Sequence, residues 1–280
     1  MQRDLFVTVA NEGFVEQAKQ VFAGAHFRAH WHGDLMLLAH NIAPASLQWF
    51  QDRGILVRSL TPICSDAEWR KCNYSTHPPT VSLKLHLFGP AFRKWRSIVY
   101  VDCDTLIRHP INRLTTVKHF GAVKDYGKNL AGQFAFVRTI GTRQEIKKRY
   151  DLSTPSFNTG VFAFRPDTIE HDALDRLIEL YNAYGPMSRF GEQLILNLFF
   201  YKQWERLPPR YNSYIYDPSQ RTLPLVAPIV HRIATILVPP GIILHFPIGL
   251  KPWEKESSYF GEWSRNRAHA ETISLPAPNP

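Results

Sequence analysis

Two aspartates separated by a single residue, Asp102 and Asp104, stand directly behind the apolar run Ile98, Val99, Tyr100, Val101. The run has the length of a strand buried on both faces, and it stops abruptly in acid. Side chains alternate across a strand, so Asp102 and Asp104 project to one side and Cys103 to the other. This spacing places two carboxylates together at a strand's carboxyl end, where open α/β sheets bind their ligands. Ionised carboxylates so close repel one another. A divalent cation held through oxygen relieves that repulsion, with a substrate diphosphate and waters completing its shell. The plainer reading of an isolated Asp-X-Asp is the start of a solvated turn, so the surrounding elements have to decide.

Those elements alternate. Leu5 to Ala10 reads as a strand, and Asn11 to Gly13 as a turn into a helix with Phe14, Ala18, Val21, Phe22 and Ala25 at helical spacing. Leu35 to Ala39 and Ile55 to Leu60 are further strands around a short helix from Ser46 to Gln51. Val81 to Trp95 is expected to be a helix, broken or ended near Gly89 and Pro90, with the acid-tipped strand next. This order implies α/β architecture and a doubly wound parallel sheet. Gly121 to Lys124 is a short strand ending at Asp125, and the polar stretch to Asp151 is expected to be a mobile or acceptor-facing insertion. Val161 to Phe164 is again a strand. Asp167 is placed to cap a helix with Ile169, Leu174, Leu177, Ile178 and Tyr181, and a second helix starts at Gly191. Late strands are expected at Arg206 to Leu207 and at Ile242 to Phe246. The division is one domain over 1–253 and a peripheral tail over 254–280.

A chain of 280 residues with 44% hydrophobic content can bury a substantial core. Its 33 basic and 24 acidic residues leave a net charge of +9, which favours anionic partners such as phosphorylated substrates or an acidic membrane surface. No zinc-finger or ribonucleoprotein-type motif accompanies the basic residues, so nucleic acid is not an expected partner. Three cysteines without a CxxC pair suggest neither a disulfide framework nor a zinc site. With no signal-peptide pattern and no apolar stretch of about 18 residues, the expected location is the cytoplasm. The Asn73 sequon is then idle. The basic groups Arg93, Lys94, Arg96 and Lys147, Lys148, Arg149 read as solvated helix faces that can also hold the chain near an anionic inner leaflet.

Five segments in order resemble the motifs of glycosyltransferase family 8, the group of glycogenin, galactinol synthases and bacterial lipooligosaccharide sugar transferases. They are KLHLF (84–88), IVYVDCDTLI (98–107), FNTGVFAFRP (157–166), GEQLILNLFF (191–200) and HFPIGLKPW (245–253). The resemblance implies a GT-A-type fold with a Rossmann-like, mixed but mostly parallel central sheet flanked by helices. It also implies a retaining hexosyltransferase that takes a hexose from a UDP-sugar, most simply UDP-glucose or UDP-galactose, to a glycan or lipid-linked acceptor. Alternatives are a glycogenin-like protein that glucosylates itself on one of its 11 tyrosines, and a nonenzymatic nucleotide-sugar-binding protein.

Carried over residue by residue, the resemblance makes Asp102, Asp104 and His245 ligands of Mn²⁺, with Mg²⁺ a possible substitute. Two carboxylates and an imidazole suit such an ion better than Ca²⁺. Lys251 and the backbone of Gly249 would meet the diphosphate, and Asn11 and Phe14 the uridine. Lys84, Cys103, Asp125, Asn158, Thr159 and Gln193 are expected around the sugar or its phosphate. Glu192 and Gln193 are the catalytic candidates: Glu192 takes the place of the family's Asp and is the carboxylate nominated for a nucleophilic or cation-stabilising role. Gly249 falls four residues after His245 where the family pattern has three, and Cys103 replaces a small residue between the acids.

Overall fold

Strand β1 (Asp4–Asn11) is buried along its inner six residues, as an apolar LFVTVA run must be when it lies inside a sheet. The computed structural model describes residues 3–64, 78–135, 140–215 and 241–276 of the chain; Cys72 and the Asn73 sequon lie outside them. After β1 come helix α1 (Val15–Ala23), β2 (Asp34–His40), α2 (Pro44–Gln51) and β3 (Leu56–Ser59). The acid-tipped strand is β4 (Ser97–Val101), followed by the short β5 (Thr105–Ile107). Then come β6 (Phe120–Asn129), α3 (Leu130–Gln133), α4 (Ile140–Arg149), β7 (Pro155–Phe164), α5 (Ala173–Tyr184), α6 (Glu192–Phe199), β8 (Glu205–Leu207), β9 (Ser213–Tyr214), β10 (Ile243–His245) and α7 (Phe260–His269).

Seven strands form one sheet in the order β3-β2-β1-β4-β7-β6-β8. The half from β3 to β4 is parallel, whereas β7 runs antiparallel to both β4 and β6, so the doubly wound parallel pattern holds only for the first half. One core cluster packs α1, Phe22, Phe50 and Ile55 on one face, and an aromatic cluster with Phe88, Phe120, Phe162 and Phe164 covers the other. A small second sheet, β5-β10-β9, stands beside the main one and accounts for the late apolar strand around Ile242 to Phe246. Among the described residues no helix is long and apolar enough to cross a membrane.

Four local expectations differ. The segment after Pro78 is a ten-residue 3₁₀ run, Pro79–Phe88, with a second turn at Pro90–Phe92, and not an α-helix to Trp95. Its Leu83, Lys84, Leu85 and Leu87 are all buried, so it has no solvated face to keep an amphipathic α-helical period. Asp167 caps no helix; it sits in a 3₁₀ turn paired with Arg165, and α5 begins at Ala173. The described part of the polar stretch after Asp125 is packed onto the domain instead of standing off as a mobile insertion: Leu130, Phe134, Ile146 and Leu152 pack against Leu194 and Leu198 of α6. Residues beyond 253 are built in as well. Helix α7 packs on α1, and Ala270 and Ile273 are buried in the same core as Phe22.

Candidate active site

Sheet register determines which residues meet at the acid-tipped end. β1 and β4 run parallel with Val7 opposite Tyr100, so Asn11 and Asp102 leave the sheet at one edge. Across β4, Val101 pairs with Val161, and the Asp102 amide donates to the Gly160 carbonyl at 2.8 Å, bringing Asn158 and Thr159 beside the acids. β10 pairs antiparallel with β5, His245 opposite Thr105, and the Phe246 amide donates to the Asp104 carbonyl. His245 is thereby carried to Asp104 from 141 positions away. Gly160 leaves the room it needs: a Cβ there would lie 2.3 Å from His245 Cε1.

Asp102, Asp104 and His245 converge, one ligand atom from each lying within 4.8 Å of the others. Asp102 Oδ1 accepts from the Tyr100 hydroxyl at 2.5 Å and from Lys84 Nζ at 3.0 Å. Asp104 Oδ1 lies 3.2 Å from His245 Nε2, and its Oδ2 takes Lys251 Nζ at 2.8 Å. Burial pushes the Asp104 carboxyl upward, but His245 and Lys251 outweigh it and hold the group below the usual carboxylate range. His245 Nδ1 bonds Asn212 Oδ1 at 2.8 Å; since a carbonyl oxygen only accepts, the proton is on Nδ1. Nε2, facing a carboxylate, then carries a proton or a cation. The donor set of two carboxylates and one such imidazole fits Mn²⁺ or Mg²⁺.

Lys84 is buried between two carboxylates, 2.7 Å from Glu192 and 3.0 Å from Asp102. Burial alone would push its pKa down; the two carboxylates reverse this and hold it above the ordinary lysine value, so the ammonium is charged. Glu192 is 2% exposed and its Oε1 also accepts from Thr159 Oγ1 at 2.9 Å. Gln193 Oε1 accepts from Asn158 Nδ2 at 2.8 Å and from the Thr159 amide at 3.2 Å. All of these residues line a single cleft together with Asn11, Phe14, Cys103 and Asp104. Asn11 Oδ1 is buried in it without a hydrogen-bond partner among the described residues, and Phe14 is 37% exposed with its ring edge-on to Trp253 at 6.1 Å.

Three of the expected donor-site residues do not line the cleft. Asp125 is 1% exposed and lies behind Gln193, its carboxylate accepting from Gln133, Gln193 and Tyr214. Lys251 reaches the site through Asp104. Gly249 sits in the loop between His245 and Lys251 at φ 81°, a left-handed conformation suited to glycine. Cys103 turns its thiol away from the acids toward Thr8 and the Val9 carbonyl, and burial pushes that thiol up to about 12, so it stays protonated.

Several cleft residues carried no sequence signal of this kind. Tyr214, Lys128 and Phe190 join the lining, and Gln133 and Asn212 support it from behind. Tyr100 is different. It stands two residues before Asp102, and the strand period that pairs Asp102 with Asp104 puts its hydroxyl on the same side.

The model of "Glycosyl transferase family 8" matches residues 72–257. Galactinol synthase 4 of Arabidopsis thaliana is 28% identical over 175 residues, covering 58% of this chain and 49% of that protein. Glycosyltransferase GlyB of Streptococcus pneumoniae serotype 4 is 36% identical over 130 residues, covering 45% and 26%. The chain thus spans half or less of these curated relatives. Among solved structures, the galactosyltransferase LgtC with donor and acceptor sugar analogs superposes with a TM-score of 0.63 at 18% identity, covering 97% of both chains. The bifunctional glycosyltransferase WbbM superposes at 0.69 with 14% identity, over 98% of this chain and 52% of that one. With the family's motifs lining one cleft at the acid-tipped edge of a GT-A fold, the chain belongs to glycosyltransferase family 8.

Proposed function

We propose that the chain is a metal-dependent, retaining hexosyltransferase that moves a sugar from a UDP-hexose, UDP-glucose or UDP-galactose, to a hydroxyl of a glycan or lipid-linked saccharide. The observation that carries this reading is the convergence of Asp102, Asp104 and His245 in a cleft that also holds an unpartnered amide oxygen at Asn11 and a fixed polar set at Asn158, Thr159 and Gln193. Those three protein ligands suit Mn²⁺, with Mg²⁺ possible, and such an ion, when bound, neutralises charge on a diphosphate leaving group.

The remaining work falls to this chain's own groups. Asn11 Oδ1 accepts from the uracil edge and Phe14 supplies an apolar face. Asn158, Thr159 and Gln193 orient the sugar hydroxyls, with Asp125 holding the Gln193 amide in place. Lys251 is a compact cation near the departing phosphates, and the left-handed loop at Gly249 presents backbone to them. Glu192 Oε1 is already engaged by an ammonium and a hydroxyl, which lowers its nucleophilicity. This supports attack by the acceptor on the face from which UDP leaves, a departing phosphate oxygen taking the acceptor's proton. Glu192 then stabilises positive charge at the anomeric carbon. The net charge of +9 supports peripheral contact with an anionic membrane on the cytoplasmic side, where lipid-linked acceptors are presented.

A panel of UDP-sugars incubated with Mn²⁺ or with EDTA, for the wild type and for Asp102→Asn and Asp104→Asn, tests the proposal. One or two donors should be hydrolysed, and turnover should vanish in both variants and in EDTA. Hexose increments on the intact chain would favour self-glucosylation. Tight UDP binding without turnover of any donor would favour a nonenzymatic binding protein.

A further inference from the structure

The cleft's hydrogen bonds have a direction. Asp125 accepts from Gln193 Nε2 at 3.1 Å, so Gln193 turns its oxygen the other way. That oxygen accepts from Asn158 Nδ2 at 2.8 Å, and Asn158 Oδ1 in turn accepts from Asn212 Nδ2 at 2.7 Å. Asn212 is left with its oxygen toward His245 Nδ1, at 2.8 Å. Two backbone amides, which can only donate, fix the same orientation independently: Thr159 N–H points at Gln193 Oε1, and Gly160 N–H at Asn158 Oδ1. Every amide in the row is therefore locked in one orientation. Among the described residues only Asn212 carries that orientation to the imidazole, and it is fully buried, so no water competes for the bond.

We propose that Asn212 is a positioning residue for the metal site, holding His245 as the Nδ1–H tautomer so that Nε2 is the nitrogen offered toward Asp102 and Asp104. A neutral imidazole has one bare nitrogen, and a buried acceptor at Nδ1 decides which one it is. Without Asn212 the ring is free to put its proton on Nε2 or to rotate away from the acids. The same residue ties the metal ligand to Asn158 and Gln193, so the two halves of the donor site share one rigid row of amides. This inference rests on the metal reading given above.

Calorimetric titration of Mn²⁺ into the full chain separates the two ideas. His245→Asn should abolish the high-affinity Mn²⁺ site; if it binds as the wild type does, the metal reading itself fails. With that control in place, Asn212→Leu should weaken Mn²⁺ binding by about 10–100-fold. Asn212→Asp keeps an acceptor for Nδ1–H while giving up the donor to Asn158, so it should lose clearly less Mn²⁺ affinity than Asn212→Leu does. Wild-type affinity in Asn212→Leu, or equal losses in both variants, would overturn the role given to Asn212. Should Asn212→Leu fail to fold, ¹⁵N-histidine NMR of the wild type with Mg²⁺ in place of Mn²⁺ still decides the matter. His245, assigned by its absence in His245→Asn, must show the Nδ1–H tautomer, and an Nε2–H signal would contradict the proposal.

Discussion

Lys84 and Glu192 form an ion pair at 2.7 Å in which neither side chain is more than 4% exposed. A buried pair of this kind contributes little relative to an apolar replacement of both, but removing one partner strands a charge. Lys84→Met leaves the carboxylates of Glu192 and Asp102 without their shared cation. It should destabilise the fold by about 3–5 kcal/mol, read by urea denaturation. Adding Glu192→Gln should recover part of that loss; a double variant no more stable than Lys84→Met would contradict the pairing.

In the mechanism proposed above, Glu192, whose Oε1 is engaged by Lys84 and Thr159, stabilises charge and does not attack. Replacing it with Gln keeps an oxygen for Lys84 and Thr159 while removing the charge. Transfer should fall by about 10²–10³ in kcat with the donor KM little changed, the signature of a transition-state interaction. Intact-mass spectrometry of the wild type quenched during turnover should find no covalently held hexose. An adduct that maps to Glu192 would establish the double-displacement route instead.

Gly160 is needed for what it lacks. A methyl group at that position would overlap the His245 ring and crowd Asn158 Oδ1. Gly160→Ala should weaken Mn²⁺ binding at least tenfold, within the range seen when the support of a metal ligand is lost, and far-UV circular dichroism should stay unchanged. Unaltered affinity would mean that the ring does not need this space.

The depressed carboxyl of Asp104 links stability to pH in the metal-free chain. Its folded pKa lies below the unfolded value, since His245 and Lys251 outweigh the opposing effect of burial. The unfolded chain therefore takes up the proton first on acidification. Stability from this group is present above about pH 4 and is lost as the pH falls through the carboxylate range. In EDTA, the urea midpoint should fall progressively as the pH drops below about 4, and less steeply in Asp104→Asn. Parallel profiles for the two proteins would refute the assignment.

What the sequence disclosed follows from the range of the interactions concerned. β1, β2 and β4 announce themselves through local burial, and the strand period alone pairs Asp102 with Asp104 and turns Cys103 away. His245, Asn158 and Gln193 were found through motif resemblance, because the pairings that assemble them, β10 on β5 and β7 on β4, leave no local trace. Asn212 and Gln133 escaped for the same reason. Each acts on a partner 33 or more residues away, and an Asn after Pro208, Pro209, Arg210 and Tyr211 reads as ordinary turn chemistry. The 3₁₀ run at Pro79–Phe88 was misread because its all-round burial erases the period that separates helix types. The stretch after Trp253 looked peripheral because its composition is polar, yet Ala270 and Ile273 are enough to fix it to the core.

The central claim is that this cleft binds a nucleotide diphosphate through a cation held by Asp102, Asp104 and His245. Titrating UDP into the chain with Mn²⁺ and again with EDTA, for the wild type and Asp104→Asn, tests it most directly. The account predicts UDP binding that weakens at least tenfold, or about 1.4 kcal/mol, on chelation and in the variant. UDP binding of equal strength under all four conditions would contradict it.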